Sequence, residues 1–167
     1  WLQKQEGLAT LAQIAQHDVD NEIRRIATGG LAATQTSTAE ILSALHSSLI
    51  AKAWQLRVEA ALTIGKLKVL ELEQPLLQQL DDTYWQVRIA VTRSLGRLRS
   101  KAAIAKLQEN FQHDISNLRK EVAIALGEIG GESAQNILLQ HAHDPDPEVR
   151  KSIRIGLALI QERQYVT

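Results

Sequence analysis

The chain has 167 residues, with 19 Lys and Arg against 19 Asp and Glu, three Pro, nine Gly and neither Cys nor Met. The missing Cys excludes disulfides, thiolate catalysis and Cys-ligated zinc or iron–sulfur centres. Zero net charge speaks against a generally basic nucleic-acid binder, and no apolar run reaches the roughly 18–20 residues of a membrane span.

Five segments align on one arginine: Arg24, Arg57, Arg88, Arg119 and Arg150, spaced 33, 31, 31 and 31 residues apart. An aliphatic residue precedes each (Ile23, Leu56, Val87, Leu118, Val149), and Leu31, Ile64, Leu95, Leu126 and Leu157 follow seven residues later. At the eighth position stand only small residues: Ala32, Gly65, Gly96, Gly127 and Ala158. Offsets of −1, +3, +7 and +10 share one helix face, and the small residue suits close approach of another helix. Upstream runs a second four-residue step, such as Leu72, Leu76 and Leu80 in the third copy. Each unit therefore reads as helix A, short turn, helix B.

In chain order the predicted pairs are 2–16 with 20–33, 38–48 with 53–67, 71–80 with 83–98, 101–112 with 115–129, and 133–143 with 147–162. Gly29-Gly30 falls inside the first B helix, at a cost of about 1 kcal/mol each relative to Ala. The second unit carries two extra residues, placed within Thr34–Thr38. Pro75 is expected to kink or delay the third A helix. Gly130-Gly131 is expected to end the fourth B helix, and Asp144-Pro145-Asp146-Pro147 to fix the last turn. Asp18, Asp82, Asp114 and Asp144 are expected to cap B helices. The chain is one domain, a solenoid in which neighbours bury each other's apolar stripes. Opening at Trp1 where the tail of an earlier B helix would lie, and holding no Met, it reads as a piece of a longer protein.

A 31-residue helix pair with a turn such as Asp-Pro-Asp-Pro-Glu-Val-Arg at 144–150 and, late in the unit, Leu-Gly-x-Ile, as at 126–129, resembles the HEAT-like repeat of the phycobilisome-lyase type. The resemblance covers roughly residues 8–160 and implies an all-α fold, a right-handed α-solenoid of five helix pairs, with B helices on the concave face. It also implies a cytoplasmic, cyanobacterial-like protein. Deoxyhypusine hydroxylases, which share the repeat, hold iron through His-Glu pairs, and this sequence has no such pair.

The recurring arginines occupy a fixed repeat position and are expected to bond aspartates or carbonyls within and between units. Function is expected where the repeat leaves the residue free. On the concave face that selects Glu59, Lys66, Ile89, Arg93, Arg97, Ile124 and Ile155, a mixture that suits a protein partner. Residues 52–106 hold ten Lys and Arg against five Asp and Glu, so the neutral total conceals a basic middle and an acidic partner is expected. Trp54 and Trp85 share one repeat position, with Tyr84 adjacent, and form a candidate aromatic ridge. His17, His113 and His143 each precede an Asp at a turn and read as turn chemistry, since ligands spread over whole repeats do not converge on a metal. No cofactor motif, metal set or catalytic carboxylate pair stands out. The expected function is a non-catalytic protein-binding scaffold. The resemblance adds an alternative, a phycobilin lyase subunit or a chaperone whose partner is a phycobiliprotein. DNA binding through Lys66, Arg93 and Arg97 comes third. Arg154 stands where other units have Thr28, Ala61, Thr92 and Ala123, and reads as a C-terminal cap.

Overall fold

The computed structural model describes residues 2–34 and 36–164; the expectation placed on Trp1, and Gln35 of the two-residue insertion, lie outside them. Among the described residues, ten α-helices form five consecutive pairs and no strand occurs. Unit 1 is α1 (Leu2–His17) and α2 (Asn21–Gly30), and unit 2 is α3 (Ala39–Leu49) and α4 (Trp54–Leu67). Unit 3 is α5 (Glu73–Gln78) and α6 (Trp85–Leu98), and unit 4 is α7 (Ile104–Asn110) and α8 (Ser116–Ile129). Unit 5 is α9 (Glu132–Gln140) and α10 (Pro147–Gln164).

The A helices of units 3, 4 and 5 are shorter than their apolar spacing predicts. Pro75 falls in the first turn of α5, where its missing N–H is tolerated, and delays the helix as expected. The run 71–80 is thus a 3-10 turn (Leu70–Leu72), six α-helical residues and a second 3-10 turn (Gln79–Asp81). Leu72, Leu76 and Leu80 still all reach the core, so the burial pattern survives the change of helix type. Gly29 and Gly30 close α2 instead of interrupting it, and a 3-10 turn (Leu31–Ala33) completes the unit. Gly130 (φ 76°) and Gly131 (φ 89°) end α8 in the left-handed region.

The B helices stack in one row, α2 on α4, α4 on α6, α6 on α8 and α8 on α10. Their small residues set the separation. A Cβ on Gly65 would lie 2.8 Å from the Ser94 Cα, and one on Gly127 would lie 2.4 Å from the Gly156 Cα. Backbones that close leave no room for a side chain. The B row is therefore narrower than the A row, which bends the stack and puts the B helices on its inner, concave side.

The expectation that the recurring arginine is structural holds. Arg57 donates through Nε and Nη2 to Asp82 of the next unit at 2.6 and 2.9 Å, and Arg119 does the same to Asp144 at 2.8 and 3.0 Å. Both side-chain pairs are nearly buried. Arg24 and Arg88 reach no aspartate carboxylate: Arg24 donates to the Ala15 carbonyl, and Arg88 donates to the Asp82 carbonyl and to Oδ1 of Asn110 in the next unit. The capping expectation needs correction. Asp18, Asp82 and Asp144 accept the N–H two residues on and so close the turn, while Asp20 and Asp146 cap α2 and α10. Asp114 takes neither part, because His113 occupies the turn position and its Nδ1 accepts the Ile115 N–H at 3.1 Å.

Candidate functional site

The concave face is built from B-helix residues one, two, five and nine places beyond the arginine. Val58, Leu62, Ile89 and Ile124 lie half-buried along it, and Ile155 is exposed on α10. Two of the expected partner-binding side chains are held within the protein. Arg25 of α2 reaches Glu59 of α4 at 3.1 Å, and Gly29 makes room, since a Cβ there would stand 2.6 Å from the Glu59 Oε1. Arg93 of α6 makes a two-point contact with Glu121 of α8 at 3.0 and 2.6 Å, and this bond pushes the Arg93 guanidinium further toward its charged form. The basic middle is therefore partly neutralised where it was expected to be free.

What remains basic is one edge of that face, at the C-terminal ends of α4 and α6. Lys66 and Arg97 are exposed, as sequence spacing places them. Sequence reading missed their neighbours Lys68 and Arg99, which end these helices with φ of 54° each. In unit 4 the same slot holds Gly130, and that comparison is the signal that could have found them. A left-handed residue with a side chain costs about 1 kcal/mol relative to Gly, so each cation is held at an energetic expense. Cations at a helix C-terminus also complement the helix dipole. Lys66, Lys68, Arg97 and Arg99 make no direct ion pair among the described residues. Glu128 shares a shallow hollow with Lys68, Arg97, Arg99 and Arg163, and Arg163 donates to the Glu128 carbonyl. Burial, reinforced by Glu121, pushes the Glu128 carboxyl up against the opposing pull of Arg97 and Arg163.

The aromatic ridge is assembled in part. Trp54 stacks on Tyr84 of the next unit at 5.7 Å between ring centres and 16° between planes, and the Arg57 guanidinium lies 5.6 Å from the Tyr84 ring centre. Trp85 is half-buried and takes no part in this stack. Phe111 and His141, at the C-terminal ends of α7 and α9, form a second stack across units 4 and 5, at different repeat positions, with centres 4.2 Å apart. It borders an open groove with His113, His143 and the Arg119–Asp144 pair. Among the described residues no three His, Asp or Glu side chains are grouped as metal ligands, and no helix is long and apolar enough to cross a membrane.

Five stacked helix pairs with a continuous inner row define an α-solenoid repeat protein. A family model described as HEAT repeats matches residues 73–158, just over half of the chain, and the protein belongs to that family. Among curated proteins no match is found. Among solved structures the chain is similar to the complex of CpcE and CpcF of phycocyanin lyase from Nostoc sp. PCC7120, with a TM-score of 0.80 at 20% identity over 94% of this chain. It spans 66% of that relative's chain, just under two thirds. It is also similar to human deoxyhypusine hydroxylase (TM-score 0.64, 20% identity, covering 94% of this chain and 63% of that one). A designed armadillo repeat protein matches with a TM-score of 0.62 at 18% identity, over 95% of this chain and 84% of its own. These likenesses establish the fold.

Proposed function

We propose that the chain is a scaffold whose concave face grips an acidic partner protein. HEAT repeats make this a repeat protein of the interaction type. The partner's chemistry is inferred from the cationic edge. Lys66, Lys68, Arg97 and Arg99 stand together without direct ion pairs, two of them in a backbone conformation that Gly would adopt more cheaply. Beside them Ile89, Ile124 and Ile155 supply apolar contact, while Glu59 and Arg93 brace the helices and lend nothing to the partner. Trp54 and Tyr84 lie at the other end of the B helices and serve as a second contact point.

The test is recovery of a partner from native extract by wild type and by a Lys66→Glu/Arg97→Glu double variant. The double variant is expected to lose the partner, and the wild-type complex to weaken as salt rises. Equal recovery of the same partner by both chains overturns the reading. The likeness to a phycocyanin lyase complex over 94% of the chain favours one alternative, a lyase or chaperone subunit acting on a phycobiliprotein. Mixing the chain with an apo-phycobiliprotein and phycocyanobilin tests it; an unchanged visible spectrum removes it.

A further inference from the structure

The cationic edge contains one acid. Glu128 stands nine places beyond its arginine, in the slot that Lys66 and Arg97 fill in units 2 and 3. The row therefore reads Lys, Arg, Glu through three consecutive units, each packed between two others in this chain.

The Glu128 side chain is half-buried and lies across α6 at Gly96, where an added Cβ would collide with its Oε2. Glu59 lies on Gly29 in the same manner, but it meets the Arg25 guanidinium at 3.1 Å. Glu128 shares its hollow with Lys68, Arg97, Arg99 and Arg163, and Arg163 donates to its backbone carbonyl. Among the described residues no side chain donates to its carboxylate. The other charges that face it are Arg93 of α6 and Glu121 of its own helix, which are bonded to each other. No histidine lines the hollow.

A carboxylate among cations gains most by pairing with one of them, because a charge-assisted bond offsets desolvation. The tucked position of Glu128 imposes burial without that bond. Burial and the neighbouring Glu121 then outweigh the pull of Arg97, Arg163 and Arg93, so the neutral form lies within easier reach than for an exposed glutamate. The cations of the hollow thus stand around an acid that does not use their donors.

We infer, on the reading of the concave face as the seat of an acidic protein partner, that an acidic side chain of that partner enters this hollow and that Glu128 takes up a proton as it does so. Two carboxylates side by side do not both stay ionised without cost, so charged Glu128 and the incoming acid oppose each other near neutral pH. Once a proton from solvent sits on Glu128, the opposition ends. Its O–H is then a donor to the incoming oxygen, while Lys68, Arg97 and Arg99 hold the charge. The complex carries one more proton than the free chain. Affinity therefore rises as pH falls through the range in which Glu128 titrates, and levels out below it.

The probe is an oligopeptide of cysteic acid, whose sulfonates stay charged between about pH 4.5 and 7.5, so that the pH effect belongs to the protein. Its binding is measured at constant ionic strength for wild type, Glu128→Gln and Glu132→Gln. Glu128→Gln fixes the neutral form and is expected to bind about threefold more tightly than wild type near pH 7.5, and equally near pH 4.5. Glu132→Gln removes the same formal charge at the exposed start of α9 and is expected to bind as wild type throughout. Three results overturn the inference: equal binding by Glu128→Gln and wild type at every pH, a gain that Glu132→Gln matches, or a gap as wide at the acid end as at the neutral one. With any of these, loss of the probe by Lys66→Glu/Arg97→Glu leaves the acidic-partner reading standing. A probe that binds none of the chains, or binds Lys66→Glu/Arg97→Glu as well as wild type, overturns that reading and this inference with it.

Discussion

The junctions between successive units come in two kinds. Where units 2 and 3 meet, and again units 4 and 5, a two-point Arg–Asp pair sits at the turn end of the B helices beside an aromatic stack, Trp54 on Tyr84 and Phe111 on His141. Where units 1 and 2 meet, and units 3 and 4, the Arg–Glu contact lies on the concave face instead, Arg25 with Glu59 and Arg93 with Glu121. The alternation has a simple source. The turn position six before the arginine reads Asp18, Ala51, Asp82, His113, Asp144, so every second unit offers a carboxylate to the unit before it. One repeat fold thus tolerates its ionic lock in either place. What it does not vary is the close packing of the B row, common to both kinds.

That comparison breaks first at the shared feature. Gly127→Val puts a side chain where the Gly156 backbone lies and is expected to cost about 3 kcal/mol or more, read as a lowered thermal midpoint or outright loss of the folded chain. Next come the two locks. Asp144→Ala leaves the nearly buried Arg119 unpaired and is expected to cost about 3 kcal/mol, whereas Glu121→Ala frees a more exposed arginine and costs about 1 kcal/mol or less. Equal losses in urea titrations would erase the distinction between the junctions.

The Asp144 lock also carries a pH signature. Burial works against its ionisation, but hydrogen bonds from Arg119 and the Asp146 N–H outweigh this and hold its carboxyl below the usual range. A carboxyl depressed in the fold contributes stability above its unfolded pKa, near pH 4, and loses it as pH falls through the folded value. Asp144→Asn is therefore expected to lower stability at neutral pH and to flatten the acid limb of the stability curve.

A smaller change sharpens the contrast by converting one junction into the other. His113→Asp restores the missing carboxylate, keeps the bond from the Ile115 N–H and gives Arg88 the partner that Arg57 and Arg119 have. A gain of about 1 kcal/mol is expected, and no gain would show that position alone does not make the lock. The smallest effect belongs to Glu128→Gln. Its carboxyl is pushed up, so the charged form is the disfavoured one; the substitution should raise the thermal midpoint slightly at neutral pH and leave it unchanged below about pH 4.

Much of this was legible because a repeat prints the same physics five times. The arginine register, the small residue eight places on and the turn aspartates each recur, and the structure uses each of them in packing or turn formation. Legibility failed where two repeats must be superposed in space. Arg93 and Glu121 lie 28 residues apart at different repeat positions, so nothing in either unit announces the pair. Trp54 and Trp85 share a position and read as one ridge, yet only Trp54 finds an aromatic ahead; where Tyr84 stands, the following unit has Ile115. Asp114 was misassigned by a single place, because His113 fills the turn position with a different acceptor atom. The left-handed cations Lys68 and Arg99 break a local preference for glycine, which propensity alone reads as an ordinary helix end.

The backbone contact between α8 and α10 at Gly127 and Gly156 has a mechanical consequence. Helices already touching along the inner row cannot be pressed closer, so the arc can curl more tightly only by pulling its outer helices apart. On the outer side an open cleft lies between α7 and α9, and there the helices have space to approach. Pivoting on the glycine row toward a flatter arc therefore only closes that cleft, whereas tighter curling gives up packing between the outer helices. The molecule is a jaw that opens for a larger object more readily than it closes on a smaller one.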